Sequence, residues 1–368
     1  KIVSLYDPCC GTSGMLTVGK DWIQDNINED IEVNMFGQEL NPQTYSICKS
    51  DFLITNEQPE NIKLGSTLSN DGYQHINRKF DYMICNPPYG DSWKKDEKYV
   101  KNESKEPDGR FSVGTPRISD GQLLFLQHMI SKMEPSGSRI GVVFNGSPLF
   151  TGDSGSGESE IRKWIIENDW LETIVQLPDS MFFNTGITTY IWIVTNKKNS
   201  ERKGKIQLID GSKHFENMKK SLGKKRKEIS KDGIEEILNS YLDFHENEIS
   251  KIYENSYFGY TKVQIEQPLV EDGEIVKLKS GKPKPNTKLR DYERISLAES
   301  IDNYYEKEVK PYLPNSWMER SKDKIGYEIN FRKEFYIYEP LRKSSEIINE
   351  ILNIDKDSEK LLRDILNE

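Results

Sequence analysis

A doubly wound α/β sheet followed by a mainly helical C-terminal region is the fold class this sequence predicts, on three observations. From Lys1 to about Asn196, short apolar runs alternate with amphipathic stretches, as strand–helix repetition requires. The first run ends in a small-residue turn, Asp7-Pro8-Cys9-Cys10-Gly11-Thr12-Ser13-Gly14, that leads directly into a helical pattern. After about Asn199 the alternation gives way to heavily charged sequence. With 368 residues there is room for one large domain and a smaller one, and the boundary is placed between 1–210 and 211–368.

Strands are expected at Ile2–Tyr6, Val33–Gln38, Phe80–Cys85, Arg139–Phe144, Leu171–Gln176 and Thr189–Thr195, each a short apolar run. Helices are expected at Ser13–Asn26, Pro42–Thr55, Gly121–Lys132 and Glu158–Asn168, where apolar residues recur at helical spacing. The stretch Asp91–Ser119 holds seven Lys or Arg and six Asp or Glu without a period, and reads as a long surface loop. Lys203–Ile209 is a further strand candidate, Ser212–Ser256 reads as charged helix, and the Lys/Pro/Gly-rich Glu266–Asn286 reads as a linker or extended arm. The tail Ser344–Leu366 places Ile347, Ile348, Ile351, Leu352, Ile354, Leu361, Leu362, Ile365 and Leu366 at helical spacing.

Bulk properties narrow the function classes. No apolar run approaches the roughly 20 residues of a membrane span, and no signal peptide opens the chain. Cys9, Cys10, Cys48 and Cys85 fit no zinc spacing, so no metal is expected and a reduced cytoplasmic setting is. The net charge of −9 argues against a protein that grips long DNA by itself, because phosphate neutralisation needs clustered Lys and Arg. The chain opens with Lys1 directly on an apolar strand, and a preceding segment not included here is expected.

Three motifs carry chemistry. In the first turn, small residues at 11, 13 and 14 let the backbone approach a ligand, and the following helix N-terminus offers free N–H groups. Taken alone, it fits a plain structural turn as well. Gly37-Gln38-Glu39-Leu40-Asn41 ends the next strand, and Glu39 stands 32 residues after Asp7, where α/β cofactor domains place an acid for ribose hydroxyls. Asn86-Pro87-Pro88-Tyr89 follows a third strand. The Asn86 side-chain oxygen and the Pro87 carbonyl are two acceptors for the N–H bonds of an aromatic amine, which is otherwise a poor nucleophile. Pro87 and Pro88 stiffen the turn, and Tyr89 offers a face for an extruded base. No strong base is needed for displacement at a sulfonium methyl, where positioning supplies much of the acceleration. His75, His128, His214 and His245 are scattered and read as structural or surface residues.

With these motifs the chain resembles the modification (M) subunit of type I restriction–modification systems, an N6-adenine DNA methyltransferase family. The resemblance also rests on Gly65-Ser66-Thr67-Leu68, Leu124-Phe125-Leu126-Gln127-His128, Ser147-Pro148-Leu149-Phe150, Leu177-Pro178, Phe258-Gly259-Tyr260-Thr261-Lys262 and Lys324-Ile325-Gly326-Tyr327-Glu328-Ile329. It implies a Rossmann-like domain that uses S-adenosylmethionine as methyl donor. Asp7, Gly11, Thr12, Ser13 and Gly14 would lie against that donor, Glu39 on its ribose and Thr67 beside its adenine. Asn86, Pro87, Pro88 and Tyr89 would receive the target adenine, with Phe182 or Phe183 stacking on its far side. Implied partners are DNA, a specificity (S) subunit that reads the target sequence, and a second M subunit, with the restriction (R) subunit a further candidate, in a bacterial or archaeal cytoplasm. Two departures stand out: Ser13 replaces a more usual Gly or Ala, and the family's N-terminal helical domain precedes the first strand in other members but not in this sequence.

The rival readings are a methyltransferase acting on amine or amide nitrogens of RNA or protein, and an idle scaffold subunit. A nucleotide hydrolase is disfavoured, since no Gly-x-x-x-x-Gly-Lys-Ser/Thr occurs. The run Lys219, Lys220, Lys224, Lys225, Arg226 and Lys227 is read either as a solvated helix face or as a contact to DNA backbone. The C-terminal helices read as a partner surface or as a stripe folded back on the catalytic domain.

Overall fold

Nine strands form the central sheet of the computed structural model, which describes residues 1–74, 77–336, 338 and 341–366, with side chains to residue 362 in the last stretch. In chain order they begin with β1 (Ile2–Asp7), β2 (Glu32–Glu39), β3 (Ile62–Leu64), β4 (Tyr82–Cys85), β5 (Arg139–Asn145), β6 (Leu171–Gln176), β7 (Thr189–Thr195) and β8 (Lys205–Asp210). A separate hairpin, β9 (Glu216–Leu222) with β10 (Lys225–Glu228), precedes the ninth sheet strand, β11 (Ser250–Glu254). The spatial order is β11-β8-β6-β7-β5-β4-β1-β2-β3. β3, β2, β1, β4 and β5 run parallel, whereas β7 runs antiparallel between β5 and β6. β3 and β11 are additions to the strands expected from apolar runs. Each is short or half-exposed and shows no such run.

β1 shows why the sheet forms here. It is buried on both faces beyond its first residue, as a parallel strand flanked by helices must be. Val3 and Leu5 point to one side and pack with Leu16, Val33, Met35, Cys48 and Phe52. Tyr6 points to the other, stacked on Phe80 at 4.2 Å and hydrogen-bonded to His128 Nε2 at 2.9 Å. The first layer comes from α1 (Gly14–Asn26) and α2 (Pro42–Ile54), within a residue of the expected spans. Asn41 caps α2 by accepting from Gln43 N at 2.8 Å, just beyond the end of β2. Farther along lie α3 (Glu97–Glu103), α4 (Gln122–Ser131) and α5 (Gly157–Glu167). In register, Asp7 lies opposite Gly37 and Tyr6 opposite Met83, so the carboxyl ends of β1, β2 and β4 open side by side.

Beyond residue 210 several expectations change. The sheet continues past the expected boundary, since β11 pairs with β8. Ser212–Ser256 is helical only at α6 (Lys231–Asp243), and the basic run lies on the β9–β10 hairpin instead of a helix face. The hairpin is largely solvated on both sides, so neither a period of two nor one of 3.6 marks it. A second sheet follows: β12 (Gly259–Glu266) lies antiparallel to β15 (Asp291–Ser296), β16 (Trp317–Met318) and β17 (Lys324–Tyr327). The arm between them, with β13 (Val270–Glu271) and β14 (Glu274–Ile275), is an exposed hairpin. Buried Arg162 of α5 ties the two sheets, donating to the carbonyls of Tyr327 at 2.7 Å and Thr151 at 2.8 Å.

The chain divides into two compact units, Lys1–Phe331 and Arg332–Glu368. The second carries α7 (Ser344–Leu366), the expected helix, with Ile347, Ile348, Ile351, Leu352, Ile354, Leu361 and Leu362 exposed. The side chains of Ile365 and Leu366, and all of His75, lie outside the described residues. No described helix is long and apolar enough to cross a membrane.

Candidate active site

The β1–α1 turn is folded against β2. A Cβ on Gly37 would sit 2.7 Å from Cys10 Sγ, so only glycine allows the turn to approach this closely. Cys10 N donates to Gln38 O at 3.0 Å, and Gly11 N donates to Glu39 Oε2 at 2.9 Å. Gly11 and Ser13 both adopt positive φ, at 55° and 71°. Ser13 is buried in that left-handed conformation, which costs a non-glycine residue about 1–2 kcal/mol and accounts for small residues at the position. Asp7 is buried at the strand end and accepts from Cys9 N at 2.9 Å. Burial pushes its carboxyl up to about 7, the Cys9 hydrogen bond opposing and nearby Glu39 adding to the rise.

Glu39 also accepts from Asn41 N at 2.7 Å, which fixes its carboxylate at the rim of a cleft of about 650 Å³. Thr67 lines the same cleft, but its hydroxyl donates to Pro8 O and therefore braces two loops. Asn86 and Pro88 also line the cleft, while Asp7, Gly11, Thr12, Ser13 and Gly14 do not. Gln38, fully buried, donates to Asn70 O at 2.7 Å and accepts from Gly72 N at 3.1 Å, so β2 also holds the loop bearing Thr67.

At the end of β4, Pro87 is buried and Pro88 exposed. The Tyr89 hydroxyl donates to Asn86 Oδ1, and burial pushes that hydroxyl above its usual range, so it remains a donor. The Phe182 ring lies 6.3 Å from that of Tyr89, nearly perpendicular at 78°. Phe183 is 69% exposed and turns away, its carbonyl accepting from Lys224 N at 2.9 Å. Of the two aromatic candidates, the fold brings Phe182 to Asn86–Tyr89.

The expected surface loop Asp91–Ser119 proves to be a wall of the cleft. Trp93, Val100 and Phe111 are buried in one cluster with Leu68 and Leu124. Arg110 ion-pairs with Glu103 at 2.6 Å and donates to Thr67 O at 2.8 Å and His128 Nδ1 at 2.9 Å. Burial, then the Arg110 and Lys132 charges, hold His128 well below its usual range, so it is a neutral structural residue as expected. Trp93, Asp96 and Phe125 line the cleft and were not foreseen. The signal was present: Trp93, Val100 and Phe111 are large apolar residues in a stretch where thirteen residues are charged. Asp7, Cys9 and Cys85 bring metal-ligand atoms within 4.8 Å of one another, with the two sulfurs 3.2 Å apart. Burial raises the Cys85 thiol well above its usual range, so it is protonated in the fold.

The strand order and the Asn-Pro-Pro-Tyr turn at the carboxyl end of β4 define a class, and the chain belongs to it: the N-6 DNA methylase family, whose model matches residues 2–266. Within that family it is similar to methylase subunits of type I restriction enzymes. The MjaIX methylase subunit of Methanocaldococcus jannaschii is 25% identical over 279 residues, covering 74% of this chain and 47% of that protein. The HindI methylase subunit of Haemophilus influenzae is 34% identical over 209 residues, covering 56% and 44%. The crystal structure of the type I restriction–modification methyltransferase subunit from Streptococcus thermophilus matches at a TM-score of 0.58 and 26% identity, over 70% of this chain and 51% of that one. The chain thus spans about half the length of the relatives it matches.

Proposed function

We propose that this chain carries the methyl-transfer site of a type I modification subunit, acting on the N6 amine of adenine in DNA. The observation that carries the reading is the placement of Asn86 at the end of β4, where it lines the cleft rimmed by Glu39 and is hydrogen-bonded to Tyr89, whose ring meets that of Phe182. The cleft volume falls within the range of small-molecule sites, and Glu39, Thr67 and Asn86 all line it. Glu39 is the group for ribose hydroxyls: Gly11 N and Asn41 N hold its carboxylate in place, and free lone pairs remain. Asp7, Gly11, Thr12, Ser13 and Gly14 would flank the rest of the donor, and Thr67 its adenine.

When bound, S-adenosylmethionine supplies a methyl group on a sulfonium, an electrophile that needs no further activation. This chain's residues then do three things. Tyr89 offers its face to the extruded base, and Phe182, edge-on to Tyr89 in this structure, turns to cover the other side. Asn86 Oδ1, released from the Tyr89 hydroxyl, accepts one N–H of the amine while the Pro87 carbonyl accepts the other, concentrating electron density on nitrogen. The stiff Pro87-Pro88 turn fixes both acceptors before the substrate arrives, which lowers the entropic part of the barrier. With a net charge of −9, the chain is proposed to share DNA binding with a specificity subunit and a second modification subunit, and to meet the restriction subunit in the larger assembly.

The test is methyl transfer from labelled S-adenosylmethionine to unmodified DNA, using full-length protein with its specificity subunit beside an Asn86→Ala control. N6-methyladenine that disappears in the control supports the proposal. Label in RNA or protein, with none in DNA, overturns it.

A further inference from the structure

Two exposed stretches, the β9–β10 hairpin and the Lys277–Lys288 arm, are strongly basic, and the hairpin is the one bonded to the loop that carries Phe182. Between Glu216 and Glu228 it holds six Lys or Arg against two Glu, in a protein of net charge −9. Lys219, Lys220, Lys224 and Arg226 are exposed, and among the described residues none of these or Lys225 has an acidic partner. Only Lys227 is paired, with Asp179. Solvation alone does not account for where these charges sit. Lys224 N donates to Phe183 O at 2.9 Å, and Arg226 N donates to Ser180 O at 2.9 Å. The hairpin turn rests so closely on the loop that a Cβ on Gly223, at φ +62°, would lie 2.6 Å from Phe183 O. The same loop presents Phe182 to Tyr89. A continuous path therefore runs from unpaired cations through two backbone bonds to the aromatic pair beside Asn86.

From this we infer that the β9–β10 hairpin is a clamp for the nucleic-acid sugar–phosphate backbone next to the extruded base, an inference that rests on the proposed adenine site. Lys219, Lys220, Lys224 and Lys225 neutralise phosphates flanking the target nucleotide. The tether through Phe183 and Ser180 couples that contact to the position of Phe182, so backbone binding and base placement share one rigid element. A local cluster of this kind serves an acidic protein well, because phosphate neutralisation depends on clustered cations and not on net charge.

The experiment measures duplex DNA binding against salt concentration for the full-length protein with its specificity subunit. It compares wild type with a fourfold Gln variant (Lys219→Gln, Lys220→Gln, Lys224→Gln, Lys225→Gln), the matching fourfold Arg variant, and a control neutralising Lys277, Lys279, Lys282 and Lys284 on the exposed arm. At roughly 0.9 per released phosphate counterion, the Gln variant is expected to lower the salt slope by about 2–4 and to weaken binding about tenfold. The Arg variant should restore both, and the arm variant should leave both near wild type. An unchanged slope in the Gln variant, or an equal loss in the arm variant, overturns the clamp. Methyl transfer run in parallel separates the two readings. N6-methyladenine formed with an unchanged slope removes the clamp and leaves the adenine site standing, whereas a lowered slope with no N6-methyladenine from wild type removes the adenine site and leaves only a backbone contact.

Discussion

Two turns at the carboxyl ends of neighbouring parallel strands are built on opposite principles. The β1 turn is held from all sides: Gly11 on Glu39, Cys10 on Gln38, Cys9 on Asp7, with a buried serine in the left-handed region. The β4 turn is held by its own two prolines, and its one side-chain acceptor, Asn86 Oδ1, is covered by the Tyr89 hydroxyl. The first is closed and internally satisfied, as suits the cofactor-flanking role proposed for it. The second keeps a hydrogen bond that, on the proposed function, a substrate amine replaces. A rigid frame with one exchangeable partner positions acceptors without a large reorganisation at the moment of reaction.

The sharpest way to break this comparison is Asn86→Ala, expected to reduce the methyl-transfer rate roughly 10²–10³-fold. Cofactor affinity should stay within about twofold, measured by calorimetry, because Asn86 belongs to the exchangeable turn. A comparable loss of cofactor affinity would show that the two turns are not separate.

Asp7 tests the closed turn through pH. Its folded-state pKa of about 7 lies above the ordinary 3.8, so the native state binds more protons than the unfolded state between those values. Stability contributed by the neutral carboxyl is complete below about pH 4 and is lost as pH rises towards 7, at up to roughly 1.4 kcal/mol per unit. Denaturant midpoints should show that slope in wild type and a flatter one in Asp7→Asn. Parallel profiles would mean that Asp7 is ionised in the fold.

Next in size is Glu39→Gln, which keeps the shape of the side chain and removes its charge. Cofactor dissociation is expected to rise roughly 10–100-fold, the worth of charge-assisted hydrogen bonds, with little change in the Michaelis constant for DNA.

Tyr89 divides into ring and hydroxyl. Tyr89→Ala should raise the Michaelis constant for DNA about tenfold, near the value of one stacked base. Tyr89→Phe, which only uncovers Asn86, should leave the rate within about threefold; a drop as large as that of Asn86→Ala would make the hydroxyl part of the chemistry.

The smallest effect belongs to Ser13→Gly. It relieves a left-handed serine at some entropic cost, and a gain of about 0.5 kcal/mol is expected by thermal unfolding.

The sequence alone determined the parallel half of the sheet and the identity of its turns. Strands buried on both faces, such as Ile2–Asp7, must be largely apolar runs, and a strand-to-helix turn must use Gly, Pro and small polar residues. Both demands are local, so the turns that carry Asp7, Glu39 and Asn86 were legible in the sequence. Elements whose partners lie far along the chain were not. Glu216–Glu228 reads as charged helix because hairpin strands solvated on both sides carry no period, and Asp91–Ser119 reads as surface because its three anchors, Trp93, Val100 and Phe111, are sparse. Only tertiary structure decided that Phe182 and not Phe183 meets Tyr89, that Thr67 spends its hydroxyl on Pro8, and that the basic hairpin seats against the loop carrying the aromatic pair. Each of those facts is a contact between residues distant in sequence, set by packing that composition and spacing do not encode.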